Sequence, residues 1–463
     1  MDYLPRSVLD TALSRLGRRQ VLDRLHALRA LADVRGLRYV DDAGRERIIE
    51  STLKPWILTS AQLLAFHRVV WLLADALMTV SRLYWHRGDV RRIIRFAPDR
   101  VAWLRAGRQP AARPYAVIGR LDSTATYDHA LWRRDFRMLE PNTVGVGGVH
   151  YAPAACSIVM DVLGDVLAQA VPGRAITATP DPRQLLMDEL GAVARRLGRP
   201  LRGVALIENT DFTTGTDEFQ ELARYLTGRG LRAVVADPRE LTRRGRQLYA
   251  KGVPVDLLYR DSELEEFIAM ESGGRRLTAL RQAISEGRLI SGLTWEFDQK
   301  SAWELFTDSR FSRFFTAEQR RLFREHLLWT RLVREDRVTD PAGRRVDLVA
   351  YIRRNRRRLV LKPNTLFGGE GVAIGSEVSQ SAWERELHRA LTGRQLYVVQ
   401  ARAEIKTDVF PMASDGGVRR IERHVVSGFF FSSSGIGLIG RFSGLPVVNV
   451  SRGGGVIAAL WVH

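Results

Sequence analysis

Residues 359–375 read LVLKPNTLFGGEGVAIG: an apolar run reaching Lys362, a turn holding Gly368, Gly369 and Gly371, and a short apolar return. Only five of the 71 basic residues are lysines, so this lysine stands apart. A chain that writes its positive charge as arginine keeps lysine mainly where a slim ammonium fits and a planar guanidinium does not. The three glycines remove side chains where backbone N–H groups could lie close over a phosphate. Lys362, at a strand end, adds a point charge to that cradle. This is no Walker A motif, because no Gly-Lys-Ser/Thr opens a helix. Taken alone, a lysine before glycines also describes a tight hairpin.

The acids that a phosphate site needs lie far upstream. GRLDS (119–123) sets Arg120 and Asp122 two apart, and LEPN (139–142) does the same with Glu140 and Asn142. Residues two apart on a strand share a face. Two adjacent strands could therefore gather Asp122, Glu140 and Asn142 as oxygen ligands, a set that suits Mg²⁺. Arg120 beside them could steady a transferring phosphoryl group. Each pair by itself also reads as the solvated face of a half-buried strand.

Between and around these motifs the texture changes along the chain. Residues 1–110 carry apolar positions at three- and four-residue steps, as in VLDRLHALRALADVRGL and AQLLAFHRVVWLLADALMTVSRLYW, and are expected to be a helical N-terminal region. Residues 111–200 hold the Arg-x-Asp and Glu-x-Asn strands and then two helices. Residues 201–294 begin with GVALIEN, TDEFQELARYLTGRG, LRAVVADP and GVPVDLLYRD, a strand–helix–strand unit and a third strand. That order predicts a parallel, Rossmann-like sheet. Its first loop, NTDFTTGTD, lacks the spaced glycines of a dinucleotide site. Residues 295–463 carry Lys300 in FDQKSAWELF, the glycine run, YVVQ (397–400) and a closing RGGG (452–455).

The bulk numbers bound the function. A chain of 463 residues, 45% hydrophobic and 27% charged, reads as an ordinary soluble α/β protein of several domains. The apolar run VVWLLADALMTV (69–80) is broken by Asp75 and too short to span a bilayer, and MDYLPRSVLD does not read as a signal peptide. Cys156 is the only cysteine, which excludes an internal disulfide. A cytoplasmic location without membrane attachment is expected. The net charge is +19 with a pI near 10.7. Yet the arginines run from Arg6 to Arg452 with acids among them, and no nucleic-acid motif accompanies RRNRRR (353–358). Anionic small molecules are the expected partners rather than nucleic acid. No feature bears on oligomeric state.

Together the two halves resemble the circularly permuted branch of the ATP-grasp superfamily, the carboxylate–amine ligases related to eukaryotic glutathione synthetase and the glutathionylspermidine synthetases. The RLD and LEPN motifs precede the lysine and glycine loop by some 220 residues, the order of the permuted members. The resemblance covers residues 111 to 463. It implies an ATP-grasp fold, with 201–294 as its pre-ATP-grasp domain, and ATP with Mg²⁺ as cofactors. It implies that Lys300 and Lys362 hold the nucleotide phosphates and that Gly368, Gly369 and Gly371 form the flap over them. Gln400 and Ala401 would form the adenine hinge, and Asp122, Glu140 and Asn142 the metal ligands. Arg120 and Arg441 would be catalytic, with Asn449 in the closing loop. The implied reaction joins a small carboxylate to an amine through an acylphosphate; the alternative is an ATP-binding relic acting as a regulatory partner. The chain departs from the pattern at Ala401, where the hinge has an acid, and at Leu366, where glutathione synthetase has a metal-binding acid. Glu370 lies inside the glycine run, and Gln299 has no assigned role.

Overall fold

The computed structural model describes residues 2–41, 43–108, 115–125, 127–211, 218–366, 368–414, 417–450 and 453–463. The 110/111 boundary, residues 212–217 of the NTDFTTGTD loop, and Arg452 lie outside the described residues.

The strand Gly119–Thr124 runs antiparallel between Met138–Asn142 and the long strand Gly417–Ser432. Beyond the latter come Gly435–Ser443, Gly455–Ile457 and Glu50–Ser51, and Thr407–Ser414 also pairs with Gly417–Ser432. Segments from the front, middle and end of the chain thus share one seven-stranded sheet. Alternation gives it two faces: Arg120 and Asp122 point one way, Leu121 and Ser123 the other. Leu121 and Ser123 are fully buried.

A helix from the N-terminal region covers that buried face. Helix Ser60–His86 starts at a capping box in which Thr59 and Gln62 satisfy each other's backbone N–H groups. Its Phe66, fully buried, touches the rings of Tyr127, Trp132, Phe136 and Phe429, with centroids 4.9–5.5 Å apart. Phe429 lies opposite Leu121 in register, so this aromatic cluster backs the Arg120 strand. Two helices, Ser60–His86 and Tyr151–Ala170, match a membrane span in length and composition, but half and two-thirds of their apolar windows are buried inside the protein.

The N-terminal region is not purely helical. Residues 38–59 form four short strands; Glu50–Ser51 extends the main sheet and Trp56–Thr59 pairs in parallel with the C-terminal strand Ala459–Val462. These strands are too short to show an alternating pattern in sequence; Arg38–Val40 and Glu46–Ile48 pair with each other, whereas the partners of Glu50–Ser51 and Trp56–Thr59 lie some 400 residues away.

The parallel sheet takes the order Leu289–Ile290, Leu257–Arg260, Gly203–Ile207, Arg232–Ala236. Its helix Glu218–Gly228 ends at Gly230, whose φ of +90° supplies the left-handed turn. The expected third strand, GVPVDLLYRD, is split: Val253–Val255 joins a small antiparallel sheet and only Leu257–Arg260 enters the parallel one. YAVIGRLDS (115–123) reads in sequence as one strand, but residues 115–118 are not strand, and Ala116 has a φ of +53° there. The last expected unit is a four-stranded antiparallel sheet ordered Thr330–Leu332, Tyr397–Ala401, Leu359–Pro363, Ala373–Ile374. Cys156 is buried, its thiol pushed up to about 12 by burial, and donates to the carbonyl of Ala459. It is inert core.

Candidate active site

The register pairs Asp122 with Glu140 and Arg120 with Asn142, so all four side chains project from one face of the main sheet. Two lysines from residues 295–463 meet them there. Lys300 Nζ lies 3.7 Å and Lys362 Nζ 3.9 Å from the same oxygen of Glu140, Oε2. Residues 140, 300 and 362 therefore converge on one point, although Lys300 stands 160 positions after Glu140 and Lys362 another 62 on.

Asp122 has a different set of neighbours. Arg120 Nε donates to its Oδ1 at 2.7 Å and Arg120 Nη2 to Oδ2 at 3.3 Å, while Arg441 Nη2 reaches Oδ2 at 2.9 Å. Asp122 is buried, and burial alone would raise its pKa; the two guanidiniums hold it below the usual carboxylate range. Burial likewise opposes the charge of Arg120, but Asp122, with Glu140 and Glu218, keeps its pKa above the ordinary arginine value. Arg441 is lowered by burial and by Arg120, against the attraction of Asp122. Its Nε is buried without a partner. Arg120 Nη1 donates to the carbonyl of Gly147.

The space for Arg120 comes from a glycine. Gly428 lies opposite Asp122 on the neighbouring strand, and a Cβ there would meet Arg120 Cδ at 2.6 Å. The arginine stem crosses its neighbour's backbone where no side chain stands.

Lys362 sits at the end of Leu359–Pro363, and its pKa is lowered by burial, with Glu140 opposing and Lys300 adding to the shift. Lys300 Nζ also donates to the carbonyl of Leu366 at 2.6 Å. The glycines after it adopt positive φ at Gly368, Gly369 and Gly371 (68°, 73° and 65°). A Cβ on Gly369 would meet Val447 at 2.2 Å, and Asn449 Nδ2 donates to the carbonyl of Gly368 at 3.0 Å. The glycine run and the 447–449 loop are in contact.

Two expectations change. Gln400 and Ala401 lie on a strand with partners on both sides. The N–H of Ala401 donates to Trp329, and the Gln400 side chain donates to Leu139 O and Thr330 Oγ1. These groups serve the sheet, so an adenine would pair beyond them. Asp122, expected as a metal ligand, has both oxygens engaged by arginine. Glu140 keeps free capacity, held only at ion-pair distance by the two lysines, whereas the unpartnered buried atom of Asn142 is its amide nitrogen, a donor that no metal takes. Mg²⁺ fits the carboxylate of Glu140 better than that of Asp122.

Beside the site, the loop 143–150 is clasped by acids that sequence reasoning missed. Asp298 Oδ2 accepts from the N–H of Thr143 at 2.7 Å, and Glu218 accepts from the N–H groups of Gly148 and His150. Burial pushes Glu218 up to about 7 and Asp298 up to about 6. Glu263, Glu265 and Glu296 cluster nearby within 4.8 Å, but Arg100 bonds Glu265 and Glu296 and Arg260 bonds Glu296. Acids set in separate helix starts and loops gave no common spacing by which to find them.

No family model matches the chain, and no curated protein matches it in sequence. Among solved structures it superposes on the apo form of a glutathione synthetase-like effector, GSS30, from Globodera pallida. The TM-score is 0.62 at 9% identity over 99% of each chain. A candidate gamma-glutamylcysteine synthetase from Methylobacillus flagellatus KT is also similar, with a TM-score of 0.34 at 11% identity over 82% of this chain and 85% of that one. The first likeness takes in nearly all of residues 1–110, which the motif resemblance had left outside. The fold of this chain is mixed α/β and glutathione synthetase-like.

Proposed function

We propose that the protein is an ATP-dependent carboxylate–amine ligase of permuted ATP-grasp architecture. The observation that carries this reading is the meeting of Lys300 and Lys362 at Glu140, beside the Arg120–Asp122–Arg441 cluster. Two ammoniums, one open carboxylate and two guanidiniums are what a triphosphate and an activated carboxylate require. In the proposed reaction the γ-phosphoryl group of ATP passes to a substrate carboxylate, giving an acylphosphate and ADP. An amine then forms the amide bond as phosphate leaves and the amine loses a proton.

Lys300 and Lys362 would bind the phosphates, and the backbone of 368–371 would cover them. Arg120 and Arg441, held in place by Asp122, would neutralise the negative charge that builds on the acylphosphate and its tetrahedral adduct. Glu140 and Asn142 would hold Mg²⁺, which supplies further charge neutralisation at the phosphates. No enzyme nucleophile is required. Small carboxylates and amines are the proposed partners, and a cytoplasmic setting agrees with them.

A second reading is an ATP-binding relic serving a regulatory role. Leu366 favours it: where glutathione synthetase has a metal-binding acid, this chain offers only a backbone carbonyl, already bonded by Lys300. One experiment separates the two. Pure protein incubated with ATP, Mg²⁺ and pooled amino acids and small peptides should yield ADP and a condensed product by mass spectrometry. ATP binding without ADP under every acid and amine would favour the relic.

A further inference from the structure

Gln299 lies beside Lys300 and is buried. Its Nε2 donates to the carbonyl of Arg95 at 2.9 Å, and its Oε1 accepts from Asn364 Nδ2 at 2.9 Å and, at a longer 3.4 Å, from the N–H of Arg95. Asn364, also buried, stands two residues after Lys362. Its side-chain oxygen accepts from the N–H of Ser301 at 2.8 Å and its backbone carbonyl from the N–H of Lys300 at 3.1 Å. Ser301 Oγ in turn donates to the carbonyl of Ile93 at 3.2 Å. The segments carrying the two lysines are thus tied to each other by Asn364, and both are tied to residues 93–95 by Gln299 and Ser301. Phe96 and Phe297 pack ring to ring at 5.1 Å and fix the same junction.

We infer that Gln299 is a positioning residue for nucleotide binding, and that residues 93–96 of the N-terminal region form the brace it works against. The inference rests on the nucleotide role proposed above for Lys300 and Lys362. The chemistry of the side chain supports it. A primary amide both donates and accepts, so one group serves Arg95 O and Asn364 Nδ2 together. An ammonium grips a phosphate only where its stem is held, and these stems leave from backbone that the amide network fixes. Buried amides whose partners are removed are left unsatisfied, so the network moves as a unit.

The test uses the full-length protein, Gln299→Leu and Gln299→Glu. Mg²⁺-ATP dissociation constants are measured by calorimetry at a temperature where circular dichroism shows each protein folded. Gln299→Leu should weaken ATP binding roughly ten-fold, the lower range of one hydrogen bond to a charged group. Gln299→Glu keeps one acceptor but turns a carboxylate oxygen onto the carbonyl of Arg95, acceptor against acceptor in a buried place, and should weaken binding at least as much as Gln299→Leu. A purely structural role would lower the melting temperature and leave the dissociation constant of the folded protein unmoved, and that result overturns the inference. Hydrogen exchange on wild type supplies a readout free of folding defects. Adding ATP and Mg²⁺ should slow exchange in residues 93–96 as well as around 300–301. Protection at 300–301 with none at 93–96 would refute the brace while leaving the nucleotide site standing. A wild type that binds no ATP would instead overturn the functional reading, and the inference with it.

Discussion

Asp122 holds two guanidiniums while Glu140, directly across the ladder, holds two ammoniums at longer range. The difference assigns the two acids different duties. Removing the charge of Asp122 would leave Arg120 and Arg441 buried and uncompensated. Asp122→Asn should therefore cost about 3–5 kcal/mol of stability by denaturant unfolding, the scale of a broken buried pair. Glu140→Gln should cost less, because its pairs are longer and Lys300 keeps its bond to the carbonyl of Leu366, and should instead weaken Mg²⁺-dependent nucleotide binding. Equal losses in the two variants would contradict this division. Arg120→Ala tests the transition-state role. The lysines and backbone donors would still grip ATP, so its affinity should stay within a few-fold. Turnover should drop by roughly 10²–10³, the effect of losing one preorganised charge-stabilising donor. Unchanged product formation would reduce Arg120 to a structural residue. The Arg-x-Asp and Glu-x-Asn spacings were legible because strand alternation projects residues two apart onto one face. That Asp122 is bonded by a second arginine was not, since Arg441 arrives from 319 positions later and its reach depends on the sheet order.

At the scale of elements, strands written as continuous apolar runs with clear ends were readable: Gly203–Ile207, Arg232–Ala236, Leu359–Pro363 and Tyr397–Ala401 all fall within the runs that predicted them. The helices Ser60–His86 and Pro182–Arg196 followed from their period in the same way. What escaped was pairing. Nothing in YVVQA reveals that both its edges are taken, and nothing in SGFFF reveals that Gly428 leaves room for the stem of Arg120. That glycine makes a prediction in which stability and activity part company. Alanine in a strand interior is favoured over glycine by roughly 0.5–1 kcal/mol of chain entropy. The added Cβ, however, would stand 2.6 Å from Arg120 Cδ and must displace that flexible side chain. Gly428→Ala should bind ATP normally and lose less stability than Asp122→Asn, since Arg441 stays on Asp122 and the chain-entropy gain offsets part of the loss, yet turnover should fall roughly ten-fold or more as Arg120 leaves its seat on Asp122. An active Gly428→Ala would show that the position of Arg120 does not matter.

Across the whole molecule, the parallel-sheet unit and the site sheet are joined through carboxyls. Glu218 opens the helix Glu218–Gly228 of the parallel unit, and its oxygens receive the N–H groups of Gly148 and His150, just past the Glu140 strand. Burial pushes it up to about 7; Asp261 adds to the rise, while the two N–H groups and Arg120 oppose it. Asp298, raised to about 6 by burial and Glu296, holds Thr143 in the same loop. The sign of the pH effect follows from these directions. Below about pH 4 such carboxyls are protonated whether the chain is folded or not and contribute nothing. Between there and pH 7 the unfolded chain releases their protons first, so the folded state binds more protons and stability falls as pH rises. Asp122, held low by its arginines, acts oppositely: its contribution is complete above the ordinary carboxylate range and is lost as pH falls below it. These two carboxyls should therefore contribute a loss of stability from pH 5 to pH 8, against the opposite contribution of His150 and His326, whose pKa burial lowers. For Glu218 the rise from 4.5 to about 7 sets an upper bound of about 3 kcal/mol, at 1.36 kcal/mol per pK unit. Glu218→Gln keeps one acceptor for the loop without a titrating proton. Its urea midpoint, followed from pH 5 to pH 8, should fall less steeply than that of wild type. Parallel slopes would mean that Glu218 ionises as freely in the fold as in the open chain, and that the clasp on the 143–150 loop carries no proton.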